Sequence, residues 1–275
     1  MFDTILVNPI INVLLVIYHL LLAVNIPYAL GFSIILLTAL LRLVLYPLTA
    51  QQLKASKKMQ DVAPLIAKLK EKHKGDSKKL QQETMSMYQK NGINPAAGCL
   101  PVIVQLPVIW AIYTVFQKIV TLKPQETLEK VNAIAYSDWL KLNTVWDTSF
   151  FGLPLGQTPS DLMKTVGMLI LLAPVLTGLF QMIQSKMIMP RAVEKKAKKK
   201  GGKESMDFAT AFQSQSLYIF PAMIGFFSFT LPFGLTLYWN TFTIFGIIQQ
   251  YKIQGFGGLQ DWIDKYSSKK SLKGK

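Results

Sequence analysis

An arginine stands inside an apolar run long enough to cross a bilayer: Arg42, in GFSIILLTALLRLVLYPLT (31–49). Of the ten residues from Phe32 to Leu41 only Ser33 and Thr38 are polar, and Leu43, Val44 and Leu45 follow. Roughly 20 helical residues, rising about 1.5 Å each, span a bilayer core, which puts Arg42 within it, towards the C-terminal end of the run. A guanidinium there costs roughly 2.5–3.5 kcal/mol on insertion scales. A side chain that snorkels to the interface is the bland account; an intramembrane ionisable residue is by default a functional one. The apolar runs 31–50, 98–117, 165–185 and 214–251 contain no Asp or Glu. Solvation of the charge then falls to water, hydroxyls, amides and backbone carbonyls, which implies a wet cavity reaching into the bilayer. Thr38, Arg42, Tyr46 and Thr49 recur at 4-4-3 spacing and predict one polar stripe on that helix.

Other apolar runs carry polar residues too. Gln105 lies in the second run, and Thr177, Gln181 and Gln184 follow i, i+4, i+7 spacing in the third. Thr236, Asn240 and Thr243 repeat that spacing in the last run, beside Tyr238 and Trp239. Any one of these can be a hydrogen bond that glues two helices together. Stripes on several helices, together with Arg42, fit a shared hydrophilic groove better. Leu36 and Ile170 are expected to face outward.

These residues need helices to hold them, and the composition supplies membrane helices. The chain has 275 residues, 51% of them hydrophobic and 16% charged, with a mean hydropathy of +0.30. One Cys and two His leave no disulfide framework and speak against a metal site; Cys99, in an apolar segment, reads as a small buried hydrophobe. The net charge of +15 is confined to blocks. Segment 50–97 has ten Lys against four acids, 186–213 has eight Lys or Arg against three, and 251–275 has six Lys against two. Segment 118–161 has four Lys against five acids. The positive-inside rule makes the basic blocks cytoplasmic and the near-neutral one extracytoplasmic. Five spans follow, near 31–50, 98–119, 162–185, 214–231 and 233–251, with the N-terminus outside and the C-terminus inside.

Residues 5–24 are apolar enough for a sixth span, but Asn8, Asn12 and His19 share one face, so 1–27 is read as an interfacial amphipathic helix. No basic leader or small-residue cleavage site marks a signal peptide. The core is expected over 28–254. Within it, 51–92 reads as a cytoplasmic helical hairpin, with Leu53, Met59, Val62, Ile66 and Leu69 as its apolar stripe and Gly75-Asp76 as its turn. Its lysines suit anionic lipid headgroups. Pro101, Pro107, Pro174 and Pro221 fall inside apolar runs, where a membrane tolerates them only if neighbours or water satisfy the freed backbone groups. The loop 120–161 predicts short amphipathic helices with aromatics at the headgroup level. The loop 186–213 and the tail 255–275 are basic and cytoplasmic, and Leu231-Pro232-Phe233-Gly234 reads as a tight outer turn.

RLVLYPLT (42–49), the lysine-rich hairpin, NPAAGCLPVIVQLPVIWAIY (94–113) and LPFGLTLYWNTFTIFGIIQQ (231–250) resemble the YidC/Oxa family of membrane protein insertases. The likeness runs from about Asn8 to Gln250, in the family's order. It implies an all-α polytopic fold: five transmembrane helices around a hydrophilic groove open to cytoplasm and lipid, plus the cytoplasmic hairpin. The family's groove arginine matches Arg42, and Thr38, Gln105, Tyr238 and Trp239 match positions near or lining that groove. Gln181 and Gln184 both fit the third-span glutamine, Gln181 being favoured. The large extracytoplasmic domain and extra leading helix of the family's Gram-negative members, and a lipoprotein cysteine near the N-terminus, find no counterpart in these motifs, so the resemblance is to a minimal bacterial form of the family.

The resemblance implies a protein of the bacterial plasma membrane that inserts and helps fold new membrane proteins, alone or with the Sec translocon, as a monomer and without a cofactor. Its expected partners are nascent membrane proteins, the Sec translocon, anionic lipids and, through the basic tail, the ribosome. No P-loop or GxSxG pattern is present, and His19 and His73 lie outside the core spans, so no enzyme is expected. A secondary transporter would show inverted repeats and intramembrane carboxylates. An assembly chaperone or scaffold without translocation activity is the alternative, and it would have no use for Arg42.

Overall fold

The computed structural model describes residues 2–73, 75–94, 100–119, 124–188, 208–260 and 262–264. Cys99, most of the basic loop (189–207) and the tail from 265 lie outside the described residues. The described chain is almost wholly helical: α1 Asn8–Ala23, α2 Ala29–Val44, α3 Tyr46–Lys72, α4 Ser77–Lys90, α5 Leu100–Ile119, α6 Pro124–Ile134, α7 Pro159–Val166, α8 Leu172–Ile188, α9 Phe208–Thr230 and α10 Phe233–Gln254. A short antiparallel ribbon departs from the all-α expectation, pairing β1 (Ser149–Phe150) with β2 (Leu153–Pro154). Among the described residues, Asp3–Ala23 and Met168–Ile188 are long and apolar enough to cross a membrane. A third candidate arises if α2 and α3, broken at Leu45, are counted together. The chain divides into two compact units.

The first unit comprises Met1–Leu45, Val102–Phe180 and Ala222–Phe245. Its core begins with Val7, just before α1, and with Ile11, Leu14 and Leu15 of α1, which join Leu30, Ile34 and Leu37 of α2 and Ile112, Val115 and Phe116 of α5. The polar face of residues 3–23, read above as facing headgroups, is occupied by protein. Asn12 donates to the Ile134 carbonyl (3.1 Å) and accepts from Tyr136 N (2.8 Å), and His19 Nε2 lies 3.1 Å from the Leu140 carbonyl. A buried amide needs such partners, and a loop with free backbone groups supplies them. Helix α1 ends with Asn25 left-handed (φ 54°); Ile26 N bonds Leu21 O and Asn25 N bonds Leu22 O, a Schellman-type stop. Pro27 follows, and α2 begins.

The stretch 124–166 is built from α6, the ribbon and α7. Trp146 is buried edge-on against Tyr18, with ring centroids 5.5 Å apart, whereas Trp139 is exposed. Phe150 drops onto Gly31, where an added Cβ would sit 2.0 Å from its ring. Lys141 bonds Asp138 at 2.6 Å and holds that carboxyl below its ordinary range, although the pair is too exposed to contribute much stability. Thr158 caps α7, which stops at Gly167 (φ 84°). The third apolar helix therefore starts at Met168, not near 162, because a glycine in a left-handed stop separates it from α7. Ile170, expected outward, is buried, while Met168, Leu169 and Leu172 are exposed.

The turn before α10 is anchored from below. Phe233 N and Gly234 N, two of the helix's orphan donors, bond the carbonyls of Gln157 and Leu155, both at 2.8 Å. Gly225 on α9 approaches Gly178 and the Pro174 carbonyl of α8 closely, as small residues allow helices in membranes to do. Beside it, Thr177, Ser228 and Thr236 form a buried hydroxyl cluster: Thr177 and Ser228 are 3.3 Å apart, Ser228 and Thr236 3.0 Å. Thr177 and Thr236 thus glue helices together.

The second unit comprises Tyr46–Pro101, Gln181–Pro221 and Gly246–Lys275. Helices α3 and α4 form the expected hairpin, with Gly75 at φ 96° and Asp76 accepting from Lys79 N (3.0 Å) as the cap of α4. His73 and Glu83 meet across the turn at 2.9 Å. Leu53 and Val62 are the buried members of the apolar stripe; Met59, Ile66 and Leu69 are half-buried, and α4 buries no residue fully. Gln60 donates to the Ile188 carbonyl (2.8 Å), Gln254 to the Leu53 carbonyl, and Lys186 lies 4.0 Å above the Trp262 ring.

Candidate functional site

Helix α2 is rich in leucine and carries its arginine in the last turn, where the helix dipole favours a cation. Leu45 N closes on Leu41 O and a separate helix begins at Tyr46, with Pro47 in its first turn. That break corrects the sequence-derived stripe: Thr38 and Arg42 share α2, but Tyr46 and Thr49 belong to α3. Proline favours the first turn of a helix, so the chain restarts there instead of continuing.

Arg42 is only 5% exposed. Its Nε and Nη2 donate to the Phe242 carbonyl at 3.0 and 2.6 Å, and its guanidinium carbon lies 3.4 Å from the centroid of the Phe242 ring. Phe242 stacks on Tyr238, one turn earlier on α10, with centroids 5.8 Å apart. Tyr238 is within electrostatic reach of Arg42, and the Gln105 amide lies against the Tyr238 hydroxyl without hydrogen-bond geometry. The cation is thus held by a helix carbonyl and an aromatic face, a setting worth about 2 kcal/mol or more when desolvated.

Four of the six residues singled out from the sequence fall here: Thr38, Arg42, Gln105 and Tyr238 all belong to the first unit, and three of them interact. Thr38 is fully buried one turn before Arg42, its hydroxyl bonded back to Ile34 O at 2.6 Å. Trp239 points elsewhere, as adjacent helix residues must. It lines an apolar cavity of about 100 Å³ with Ile224, Phe227, Leu231 and Leu235. Gln181 belongs to the second unit, and both it and Gln184 are half-buried, so burial does not separate them. Phe242 was not identified from the sequence; its spacing of four from Tyr238 was the available signal.

The polar atoms of this unit are incompletely used. Gln105 Nε2, Tyr238 Oη, Asn240 Oδ1 and Thr243 Oγ1 are buried without a hydrogen-bond partner. Each such group costs about 1–3 kcal/mol; of the four, Gln105 and Tyr238 lie at Arg42, whereas Asn240 and Thr243 fall on the Thr236 face of α10. A fixed cation beside the unused Gln105 amide and Tyr238 hydroxyl can solvate a polar chain segment. Among the described residues, no group of three or more His, Cys, Asp or Glu could hold a metal.

Residues 21–257 match the 60Kd inner membrane protein family. The membrane protein insertase YidC of Oceanobacillus iheyensis is 33% identical over 226 residues, 80% of this chain and 72% of that one. The membrane protein insertase YidC 2 of Bacillus anthracis is 33% identical over 229 residues, 82% of this chain and 72% of its own. The inner membrane protein ALBINO3 of Arabidopsis thaliana chloroplasts is 29% identical over 263 residues, though this chain spans only 51% of it. A crystal structure of an active YidC insertase with its first transmembrane domain resolved shares the fold, with a TM-score of 0.54 at 24% identity. The match covers 91% of this chain and 46% of that one. The chain belongs to the 60Kd inner membrane protein family, the YidC/Oxa family that its motifs resemble.

Proposed function

We propose that this protein is a membrane protein insertase that places newly made membrane proteins into the bilayer and helps them fold, alone or with the Sec translocon. The observation that carries the reading is Arg42, 5% exposed in an apolar helix and docked on the Phe242 carbonyl and ring. In a family whose relatives are membrane protein insertases, that geometry suits a guidance charge for an incoming chain. Five spans around a hydrophilic groove, with the N-terminus outside and the C-terminus in the cytoplasm, are part of this proposal.

The physics is solvation, not bond chemistry. Moving a hydrophilic segment across a bilayer is opposed chiefly by desolvation of its charges, and a wet groove reaching part-way shortens that barrier. A carboxylate about 4 Å from Arg42 gains about 4 kcal/mol at an effective dielectric of 20, against about 1 kcal/mol in water. The attraction therefore acts mainly inside the groove and is lost once the segment has crossed. The substrate's apolar helix leaves into lipid, driven by roughly 0.8 kcal/mol per CH₂ buried.

Purified protein in vesicles tests this. It should insert a small substrate with one or two apolar helices without nucleotide. In a Cys99→Ser background, single cysteines at Thr38 and Gln105 should react with a small hydrophilic thiol reagent faster than at Leu36 or Leu169, because a thiol in lipid stays protonated. Assembly assistance without insertion would leave only the chaperone reading, and groove cysteines no more reactive than the lipid-facing pair would remove the wet groove.

A further inference from the structure

The second unit holds a polar group that the Arg42 site does not use. Gln250 is 1% exposed, and both of its side-chain atoms, Nε2 and Oε1, are buried without a hydrogen-bond partner. Gln254, one turn later on the same face of α10, donates through Nε2 to the Leu53 carbonyl of α3 and leaves Oε1 buried and unpaired. Two neighbouring carboxamides thus present one unused donor and two unused acceptors. Methionine would fill the space of Gln250 without stranding polar atoms, so packing alone does not account for the glutamine.

We propose that Gln250 and Gln254 bind the main chain of the incoming polypeptide. The proposal rests on the insertase reading above and adds the chemical class that this second position takes. A peptide unit offers one N–H and one C=O, the complement of a carboxamide's acceptor and donor. Such a contact ignores side-chain identity, as a protein that handles many sequences requires. It also differs in kind from Arg42: a neutral amide pair grips acidic, neutral and basic segments alike.

Substitution of Gln250 by Met separates binding from packing. Expected is an insertion rate lowered several-fold, by the same factor for substrates with neutral and acidic tails, with thermal stability unchanged or raised. Unchanged insertion by a stable Gln250→Met protein would overturn the proposal and leave a hydrated structural amide. A defect that scales with the number of acidic residues would also overturn it. Should the variant lose stability and insertion together, disulfide trapping decides. Gln250→Cys, in the Cys99→Ser background, should cross-link to cysteines at successive positions in the polar segment of a substrate arrested mid-insertion, and no cross-link at any position overturns the proposal. Wild-type protein that inserts none of these substrates would instead sink the insertase reading itself, independently of Gln250.

Discussion

At the scale of single residues, Arg42 depends on Phe242 as much as on its own charge. The Phe242 carbonyl takes two of its N–H groups and the ring covers its face. Arg42→Lys keeps the charge but loses the planar contact with both. It should retain partial insertion, whereas Arg42→Ala should fail progressively as acidic residues are added to the translocated segment. A lost attraction of about 1–2 kcal/mol corresponds to roughly 5–30-fold in rate, measured on a substrate series differing only in tail charge. A defect independent of tail charge would contradict the guidance role. Phe242→Leu keeps the carbonyl and removes the ring; it should cost about 2 kcal/mol of stability, read as a lower midpoint of thermal unfolding in detergent.

At the scale of elements, one close approach fixes how the ribbon packs on α2. Gly31 lets the Phe150 ring lie directly on α2. Gly31→Ala should destabilise by about 1–3 kcal/mol through overpacking. Phe150→Leu should lose less in the Gly31→Ala background than alone, since contacting residues are non-additive. Additive losses in thermal unfolding would show that the two do not clash. The hairpin is another matter: its second helix buries no residue fully, which marks it as an element of low local stability. Replacing Lys57 to Lys90 with a short linker should leave the remaining protein folded in detergent while lowering insertion. Normal insertion would remove the hairpin from the mechanism.

At the scale of the whole molecule, the charge distribution matters more than its sum. The net +15 resides in three blocks, two between apolar runs and one after the last, and that block, 251–275, carries six lysines. If the tail contacts ribosomal RNA, binding to ribosomes should weaken steeply with salt, and most of that slope should vanish when 265–275 is removed. Co-sedimentation that survives the truncation would leave lipid headgroups as the tail's counterpart.

The family was legible from short motifs, and the matching family confirms that identification. The hairpin's turn could be placed from Gly75-Asp76, because turn and cap chemistry is local. Arg42 stood out because a charge in an apolar run is an anomaly of composition alone. What the sequence could not contain was the destination of each polar group. Asn12 and His19 looked like headgroup residues, yet they bond the backbone of residues 134–140. Thr177 and Thr236 looked like groove lining, yet they bond Ser228. Periodicity reports which residues share a face, whereas the partner of that face is set by contacts between residues far apart in the chain. Tyr238 and Trp239 make the same point: the order along the chain pairs them, while the helix turns one towards Arg42 and the other into an apolar cavity.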